Sequence, residues 1–273
     1  MSNIIPLSPR QTFEDNMRPA HLLVRVYRLL DSNDGITSDG DMVTKLRPVV
    51  QAAADEELLL IYNELFLGLV RERADIKRSH LLKRSLGHLL RQAVVASCTA
   101  LETYLPAALQ THLPTVIKAR GRAFIPQQDK MVKNYFETMT FNLQDVLRLM
   151  EHHNAPEFVA EKIVGFSGFN YMGTDRGVHV CGALLGIENP WKDIATRLGR
   201  EEEDLKKTLR ETVRRRNDIV HRADRSQSDP GGDIQDVSLE TTEQSVDSIK
   251  HVITSLDALI DNKMREFQAS VTE

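Results

Sequence analysis

The chain has 273 residues, of which 41% are hydrophobic but only 5% are aromatic. The core must therefore be built mainly from aliphatic side chains, as in helix bundles, and the length suits one large domain or one domain with an extension. The net charge of −4 excludes a positive field over the whole protein, so any contact with nucleic acid must be local.

Two cysteines and one apolar run help to predict the cellular compartment of the protein. Cys98 and Cys181 both lie among apolar residues, which indicates small buried side chains in a reducing compartment, with a disulfide between them as the less favoured alternative. Prolines interrupt residues 1–10, where no signal peptide is visible. The apolar run Leu58–Val70 is too short to span a bilayer. We expect a cytoplasmic protein without membrane contact.

The N-terminal quarter predicts two helices separated by a loop. Prolines at positions 6, 9 and 19 predict an irregular start, followed by a helix over Ala20–Leu30. The segment Ser32–Asp41 is rich in turn-forming residues and predicts an exposed loop. A second helix with an apolar surface is predicted over Val49–Arg73.

The strongest helical pattern lies in the middle of the chain. Apolar residues recur at helical spacing over Lys77–His112, and Pro106 inside the pattern predicts a bend or a division. Two further helices are predicted over Lys130–His152 and Pro156–Val164. The glycine-rich stretch Gly165–Gly177 lacks the lysine pattern of a nucleotide-binding loop, so we expect a flexible loop near the functional site.

The last third of the chain predicts four helices. Two short ones cover Val178–Leu185 and Pro190–Leu198, the second with a proline in its first turn, where the ring fits. A third helix over Glu201–His221 begins with acidic residues and ends with arginine, as the helix dipole favours. A polar loop over Ala223–Asp236 precedes a closing amphipathic helix over Thr241–Phe267.

The pattern as a whole predicts an all-α fold. No convincing β alternation, internal repeat or low-complexity tract is visible. We expect residues 1–76 to form an N-terminal helical extension and residues 77–273 to form the main helical domain.

The candidate catalytic residues lie near the end of the helix predicted over Glu201–His221. Arg216 is followed by Asn217 and, five positions after the arginine, by His221. Spacing alone does not decide, because Arg148 and His153 stand at the same spacing and about one such pair is expected by chance. On a helical wheel, however, Arg216 lies in the middle of an apolar stripe. An always-charged guanidinium there needs an anion, hydrogen-bond acceptors or a wet crevice, so its placement indicates a site at a helix–helix or subunit interface.

These residue types suit metal-independent cleavage of RNA, in which the ribose 2′-OH attacks the adjacent phosphodiester. An imidazole exchanges protons near neutral pH, and a guanidinium stabilises charge on phosphate oxygens. We therefore interpret Arg216 and His221 as catalytic, with Asn217 holding a phosphate oxygen or orienting His221. Three neighbouring arginines are candidates for a local RNA-binding patch: Arg215, Arg222 and Arg225.

Plainer interpretations stay open. The motif could be a polar helix end whose side chains cap carbonyl groups, and Asn217 could serve only as a structural hydrogen-bond partner. Glu102 and Tyr104 are expected to serve packing and orientation, although Glu102 could still contact the motif helix. Trp191 is expected to lie in the core.

A metal site is the weakest of the alternatives. Four residues invite it by type: Glu151, His152, His153 and Glu157. Adjacent histidines on a helix point about 100° apart, and neither an HExxH motif nor paired cysteines support the site. We therefore expect neither a metal ion nor a cofactor.

The motif resembles that of the HEPN superfamily, whose mark is an arginine followed by four to six residues and a histidine near the end of a late helix. This chain matches it at Arg216, Asn217 and His221. The run Val94–Leu105 is similar to the early HEPN helix. Pro190–Ala195 and the closing helix resemble the branch called RiboL-PSP-HEPN or MAE-28990-like.

The resemblance covers about Arg78–Phe267 and leaves residues 1–75 unaccounted for. It implies a helical domain that dimerises so that two motifs face each other across a two-fold axis. It also implies metal-independent endoribonuclease activity in a toxin–antitoxin or antiviral defence system, with cellular RNA such as tRNA as substrate and an antitoxin or defence protein as partner. Some members of the superfamily are inactive, so a non-catalytic scaffold that binds RNA, a nucleotide or a regulatory protein is the alternative.

Overall fold

The structure is a computed structural model that describes residues 7–31, 35–126, 129–137, 139–166, 173–225 and 232–272. Within these ranges the chain forms ten α-helices and one small antiparallel sheet. The helices are α1 (Pro9–Asp31), α2 (Asp41–Val49), α3 (Lys83–Arg120), α4 (Lys130–Glu137), α5 (Leu143–Glu151), α6 (Ala155–Val164), α7 (Asp175–Leu184), α8 (Pro190–Leu198), α9 (Glu202–Arg222) and α10 (Leu239–Thr272). The strands are β1 (Gly35–Thr37), β2 (Leu58–Tyr62) and β3 (Leu67–Arg71). The predicted helical fold class is confirmed.

Helix α3 lies at the centre of the bundle and packs against α1, α6, α7, α9 and α10. Leu101, Leu105 and Leu109 recur every four residues on it and are fully buried, which places them on one face of the helix. The predicted division at Pro106 is wrong, because α3 continues through it as one helix. A proline removes only local hydrogen bonds, and the leucines buried on either side favour an unbroken helix. The helix ends at Gly121, whose φ of 52° suits glycine.

Helix α1 starts earlier than predicted. It begins at Pro9, and Pro19 lies inside it, so the predicted irregular start over these residues is wrong. Phe13, Met17 and Val24 on its inner face are buried in the same core as α3, and this burial outweighs the low helix propensity of proline. The division into residues 1–76 and 77–273 stays a prediction, although α1 shares the main core.

The helix predicted over Val49–Arg73 is wrong, because α2 ends at Val49 and the chain then forms the hairpin of β2 and β3. Strand β2 pairs antiparallel with β3, Leu60 opposite Leu69, and β1 pairs with the other edge of β2. Leu58 and Leu60 are buried in a small cluster of their own. A continuous apolar run cannot be assigned to strand or helix by periodicity alone, which explains the error.

Two other predicted segments change at their boundaries. Lys130–His152 forms two helices rather than one, and Asn142 caps α5 by accepting a hydrogen bond from the backbone N–H of Asp145 at 2.9 Å. The predicted loop Ser32–Asp41 contains β1, and residues 32–34 lie outside the described part of the chain. The glycine-rich stretch falls partly outside it as well, at residues 167–172.

The two cysteines are buried and free. Burial raises the pKa of the Cys98 thiol to about 12 and raises that of Cys181 further, so both behave as small apolar side chains, as predicted. In the part of the chain that the structure describes, no helix is both long enough and apolar enough to cross a membrane.

Candidate functional site

Helix α9 carries the motif and packs against α3, α7, α8 and α10. Leu205, Leu209 and Ile219 are buried along one face of α9, as the apolar stripe predicts. Acidic residues occupy its first turn and basic residues its last, which complements the helix dipole. Val220 lies about 40° from Arg216 on the helical wheel and so falls within the predicted apolar stripe, but it is not buried, because 53% of its surface is exposed.

The guanidinium of Arg216 lies in the seam between α9 and α3, with its side chain 18% exposed. Its Nη2 donates a hydrogen bond to Oε1 of Glu102 on α3, and its Nη1 donates to Oδ1 of Asn217 at 2.9 Å. The positive charge of Arg216 also lowers the pKa of the nearby Cys98 thiol, against the larger effect of burial. A guanidinium in an apolar stripe needs an anion, and here that anion is the carboxylate of Glu102. On sequence grounds, contact between Glu102 and the motif helix was only the alternative to a packing role. Among the described residues, two of the five N–H groups of Arg216 have a hydrogen-bond partner and three have none.

Gly173, at the end of the glycine-rich stretch, lies directly against Glu102. A Cβ atom at this position would be 2.6 Å from Cγ and 2.7 Å from Oε1 of Glu102. The next residue, Thr174, caps α7 by accepting a hydrogen bond from the Gly177 N–H at 3.3 Å. Gly173 thus lies next to the motif. A residue with a Cβ atom at this position would displace the Glu102 side chain.

His221 lies in the last turn of α9 and is exposed. Among the described residues it has no hydrogen-bond or ion-pair partner. It follows Arg216 by about 7.5 Å along the helix and about 140° around it. A single α9 therefore does not place the imidazole on the same face as the guanidinium.

Arg215 is held inside the chain. Its Nη2 donates to Oδ2 of Asp224 and to the carbonyl of Asp236, each at 2.8 Å, and its Nη1 donates to Oε1 of Gln235 at 2.8 Å. Its side chain is 26% exposed. These contacts occupy most of the N–H donors of Arg215. An RNA-binding role for Arg215 stays a prediction, and few of its N–H groups would be left to contact RNA.

The other two arginines of the predicted patch also have partners in the chain. Arg222 donates to Oδ1 of Asp218 at 2.6 Å, one turn earlier on α9, and its side chain is 38% exposed. The Nε of Arg225 donates to the carbonyl of Gly232 at 3.0 Å. Of Arg215 and Arg222, Arg222 has the more exposed side chain. The RNA-binding interpretation of the patch remains a prediction.

A polar cleft of about 730 Å³ lies beside α9, on the side that faces the start of α10. Its lining includes Arg215, Asn217 and Arg222, but neither Arg216 nor His221. The cleft and the seam thus occupy different sides of α9. Asn217 is the member of the motif that contacts Arg216 and also lines the cleft.

The second pair at the same spacing lies in a different environment. Arg148 is on α5 and His153 follows the end of that helix, and both side chains are exposed. Among the described residues neither has an ion-pair partner. The two pairs thus differ in setting, because Arg216 lies in a helix–helix seam whereas Arg148 is exposed.

Two of the four residues of the alternative metal site, His152 and Glu157, have local partners instead. His152 accepts a hydrogen bond from the backbone N–H of Asn154 at 3.1 Å and packs against Phe158. Glu157 accepts a hydrogen bond from the side chain of Asn154. Over the described ranges, no group of three or more His, Cys, Asp or Glu side chains is placed to hold a metal ion. Trp191, predicted to lie in the core, is buried and donates to the carbonyl of Asp175 at 2.9 Å.

Sequence reasoning missed two residues next to the motif. Asp224 lies three positions after His221, and its buried carboxylate pairs with Arg91 of α3. The signal for Arg91 was present, because it shares a helix face with the buried Val94 and Cys98. The argument that singled out Arg216, a charge among apolar neighbours, applies to Arg91 as well.

Two features together define the class of protein: a helical bundle around one long central helix, and a polar Arg/His motif in a late helix that meets an acidic residue of the central one. A comparison with protein families matches the RiboL-PSP-HEPN model to residues 62–262. No curated protein and no solved structure matched the chain. The chain belongs to the RiboL-PSP-HEPN family, within the HEPN superfamily. This membership suggests a ribonuclease or RNA-binding role.

Proposed function

We propose that the protein is a metal-independent endoribonuclease that acts as a homodimer, with Arg216 and His221 as its catalytic residues. The observation that carries the proposal is that one helix bears a fixed cation and an exposed imidazole, the latter without a side-chain partner among the described residues. Glu102 fixes the guanidinium of Arg216 at the seam, and His221 stands exposed one and a half turns later.

The chemistry follows from these two groups. His221 accepts the proton of the ribose 2′-OH as that oxygen attacks phosphorus, and the bond between phosphorus and the 5′ oxygen breaks. The departing 5′ oxygen receives a proton from the imidazolium of His221 in the second copy of the chain, so that one imidazole gains a proton and the other loses one. The products are a 2′,3′-cyclic phosphate and a free 5′-OH. The free N–H groups of Arg216 stabilise the negative charge that develops on the phosphate oxygens.

A second copy of the chain completes the proposed site. Because Arg216 and His221 leave α9 about 140° apart, two α9 ends that face each other supply a guanidinium and an imidazole to the same phosphodiester more readily than one does. Val220 lies about 40° from Arg216 on the helical wheel and is 53% exposed. An exposed valine between two motif residues fits a surface that the partner subunit covers in an isologous dimer.

The wider setting is proposed from the family. We infer a toxin or antiviral defence effector that cleaves cellular RNA, tRNA included, in the cytoplasm, with an antitoxin or another defence protein as its regulator. Asn217 holds a phosphate oxygen or orients His221, and Arg222 is the best placed of the three nearby arginines to contact the RNA backbone.

A specific observation also favours the second candidate, a non-catalytic scaffold. Arg216 and Asn217 bond to each other, Arg216 is paired with Glu102, and Arg215 is held by Asp224 and its neighbours. A polar helix end with these internal contacts could serve stability alone. Such a protein would bind RNA, a nucleotide or a regulatory protein through its surface without cleaving RNA.

One assay separates the two candidates. The purified protein is incubated with total RNA in EDTA beside the Arg216→Ala and His221→Ala variants. Arg148→Ala and His153→Ala serve as matched controls, because this pair has the same spacing but an exposed setting. The enzyme hypothesis predicts cleavage that persists in EDTA, that is lost in both motif variants and that both controls retain. A wild type that binds RNA and leaves it intact would overturn the hypothesis in favour of the scaffold.

A further inference from the structure

Asp224, just beyond the motif helix, carries a fully buried carboxylate that two arginines share. The Nε of Arg91 donates to Oδ2 of Asp224 at 2.6 Å, and Nη2 of Arg215 donates to the same oxygen at 2.8 Å. The side chain of Asp224 is 0% exposed and that of Arg91 is 8% exposed. Oδ1 of Asp224 has no hydrogen-bond partner among the described residues. The cluster thus joins α3 to α9 through a carboxylate that is buried.

The same two arginines hold the segment that leads into α10. Nη2 of Arg91 donates to the carbonyl of Gln235 at 2.6 Å, and Nη2 of Arg215 donates to the carbonyl of Asp236 at 2.8 Å. The backbone N–H of Gln235 donates to the carbonyl of Asp224 at 2.8 Å. Three parts of the chain therefore meet at one carboxylate: the central helix, the motif helix and the segment before the last helix.

The backbone at this point is held in a conformation that residues with a Cβ rarely adopt. Ala223 has a φ of 48° and Asp224 a φ of 64°, both in the left-handed region. The N–H of Asp224 donates to the carbonyl of Asp218 at 2.9 Å, which closes the last turn of α9. Tertiary contacts must hold two such residues in succession, and they include the hydrogen bonds to the Asp224 carboxylate and the hydrogen bond from the Gln235 N–H to the Asp224 carbonyl.

Stability alone is a weak explanation for this cluster. Replacing a buried ion pair with apolar residues often leaves the stability of a protein unchanged or raises it. The short, directional hydrogen bonds of a buried ion pair, however, fix the geometry of the groups that they join. Central helix α3 supplies a contact at each end of the motif segment: Glu102 meets Arg216, and Arg91 meets Asp224. These two α3 residues lie about 16 Å apart along the helix, so one rigid element fixes both ends of the segment that contains His221.

We propose that Asp224 is a positioning residue, which through Arg91 and Arg215 fixes the end of α9 and so sets the place of His221 relative to Arg216. The inference rests on the proposed ribonuclease function and extends it to a residue outside the motif. Asp224 does not touch the substrate. Without its charge the last turn of α9 loosens, and the imidazole no longer stays within reach of the phosphodiester held at Arg216.

The test uses Asp224→Asn, which keeps the shape of the side chain and removes its charge. The matched control is Glu56→Gln, because Glu56 also pairs with an arginine, Arg71 of β3, but lies far from the motif in the chain, just before strand β2. Three quantities are measured on the folded proteins: kcat and KM for cleavage of a labelled RNA, hydrogen exchange of the amides of residues 219–225, and the NMR signals of the His221 imidazole. Those signals are assigned by their loss in His221→Ala.

Asp224→Asn is expected to lower kcat on the order of 10- to 100-fold, as a displacement of about 1 Å can do, while KM stays near its wild-type value. Amide exchange should accelerate over residues 219–225, and the His221 signals should shift. Glu56→Gln should change none of the three. Wild-type kcat in Asp224→Asn, with unchanged exchange and His221 signals, would overturn the proposal.

Two further measures cover the cases in which Asp224→Asn does not fold or the wild type does not cleave RNA. If Asp224→Asn does not fold by circular dichroism, Arg91→Lys takes its place, because it keeps a positive charge and loses the Nε hydrogen bond that Asp224 receives. If the wild type cleaves no RNA, the proposed function fails, but exchange and His221 signals still test the positioning. A change in both supports a role of Asp224 in placing His221, and no change refutes it.

Discussion

Glu102 on α3 binds the guanidinium of Arg216 on α9 across a separation of 114 residues in the chain. This contact joins the central helix of the bundle to the helix that carries the motif. A charge placed among apolar residues costs free energy unless an opposite charge meets it, and here the partner comes from the central helix α3. The guanidinium is therefore held before any RNA arrives, which is how preorganised electrostatic stabilisation operates.

The first prediction concerns Gly173, whose place against Glu102 leaves no room for a methyl group. Gly173→Ala should push the Glu102 carboxylate away from Arg216, because the added Cβ would lie 2.6 Å from Cγ of Glu102. We expect RNA cleavage to slow on the order of 10-fold or more, as for other misplaced catalytic groups, with little change in the melting temperature. Gly165→Ala is the control, since its added Cβ would approach only the carbonyl of Glu161, at 3.2 Å. Equal activity of both variants would show that the Glu102 position is unimportant.

The second prediction separates the charge of Arg216 from its shape. Arg216→Lys keeps a positive charge, but an ammonium cannot donate to Glu102, Asn217 and a phosphate in the fixed fork of a guanidinium. The variant should lose cleavage on the order of 100-fold, the usual effect of removing a transition-state donor, while RNA binding measured by fluorescence anisotropy changes little. Arg148→Lys should have no effect on either quantity. Full activity of Arg216→Lys would reduce Arg216 to a simple counter-ion.

The third prediction concerns the surface at Val220, which is 53% exposed between the motif residues. In an isologous dimer Val220→Glu would bring like charges together near the two-fold axis, which costs several kcal/mol. The dimer should therefore dissociate about 100-fold more readily, and cleavage should fall with it. Sedimentation over a range of concentrations measures the effect.

The control for Val220 is Leu143→Glu on α5, where the leucine is 74% exposed. This variant should remain a dimer with full activity. A monomer produced by Leu143→Glu but not by Val220→Glu would place the subunit interface on α5 and contradict the composite site.

The fourth prediction concerns pH and the small sheet. Glu56 pairs with Arg71 through both carboxylate oxygens, and these hydrogen bonds hold the pKa of Glu56 at about 2. A carboxylate with a lowered pKa in the folded state stabilises the protein above its ordinary pKa, here about 4.5, and loses that contribution as the pH falls toward about 2.

The difference in free energy of unfolding between the wild type and Glu56→Gln should accordingly be largest near neutral pH and shrink toward zero at pH about 2. Urea unfolding at several pH values measures it. A difference that stays constant over this interval would show that the Glu56 charge does not stabilise the sheet.

Much of the fold was predictable because the apolar periodicity of α3, α9 and α10 is a local property of the chain. The hairpin of β2 and β3 was not, since the run Leu58–Tyr62 is apolar at every position and its period cannot be read. What decides that segment is pairing with β1 and β3, and such pairing joins residues that local patterns do not connect.

The candidate site was predictable in the same partial way. Arg216 was singled out as a charge within an apolar stripe, and the structure places it in a partly buried seam between α9 and α3. Its partner Glu102 could be named only as one option, because nothing local links residues so far apart. The contact of Arg91 with Asp224 spans 133 residues and was not predicted for the same reason.

The central claim is that Arg216 and His221 together transfer protons and stabilise charge at one phosphodiester. The most direct measurement is the chemistry of the ends of RNA cut in EDTA by the wild type, compared with His221→Ala at equal protein concentration. We predict a 2′,3′-cyclic phosphate and a 5′-OH at every cut made by the wild type, and no cuts made by the variant. Cuts that carry a 5′-phosphate, or that His221→Ala makes as fast as the wild type, would contradict the claim.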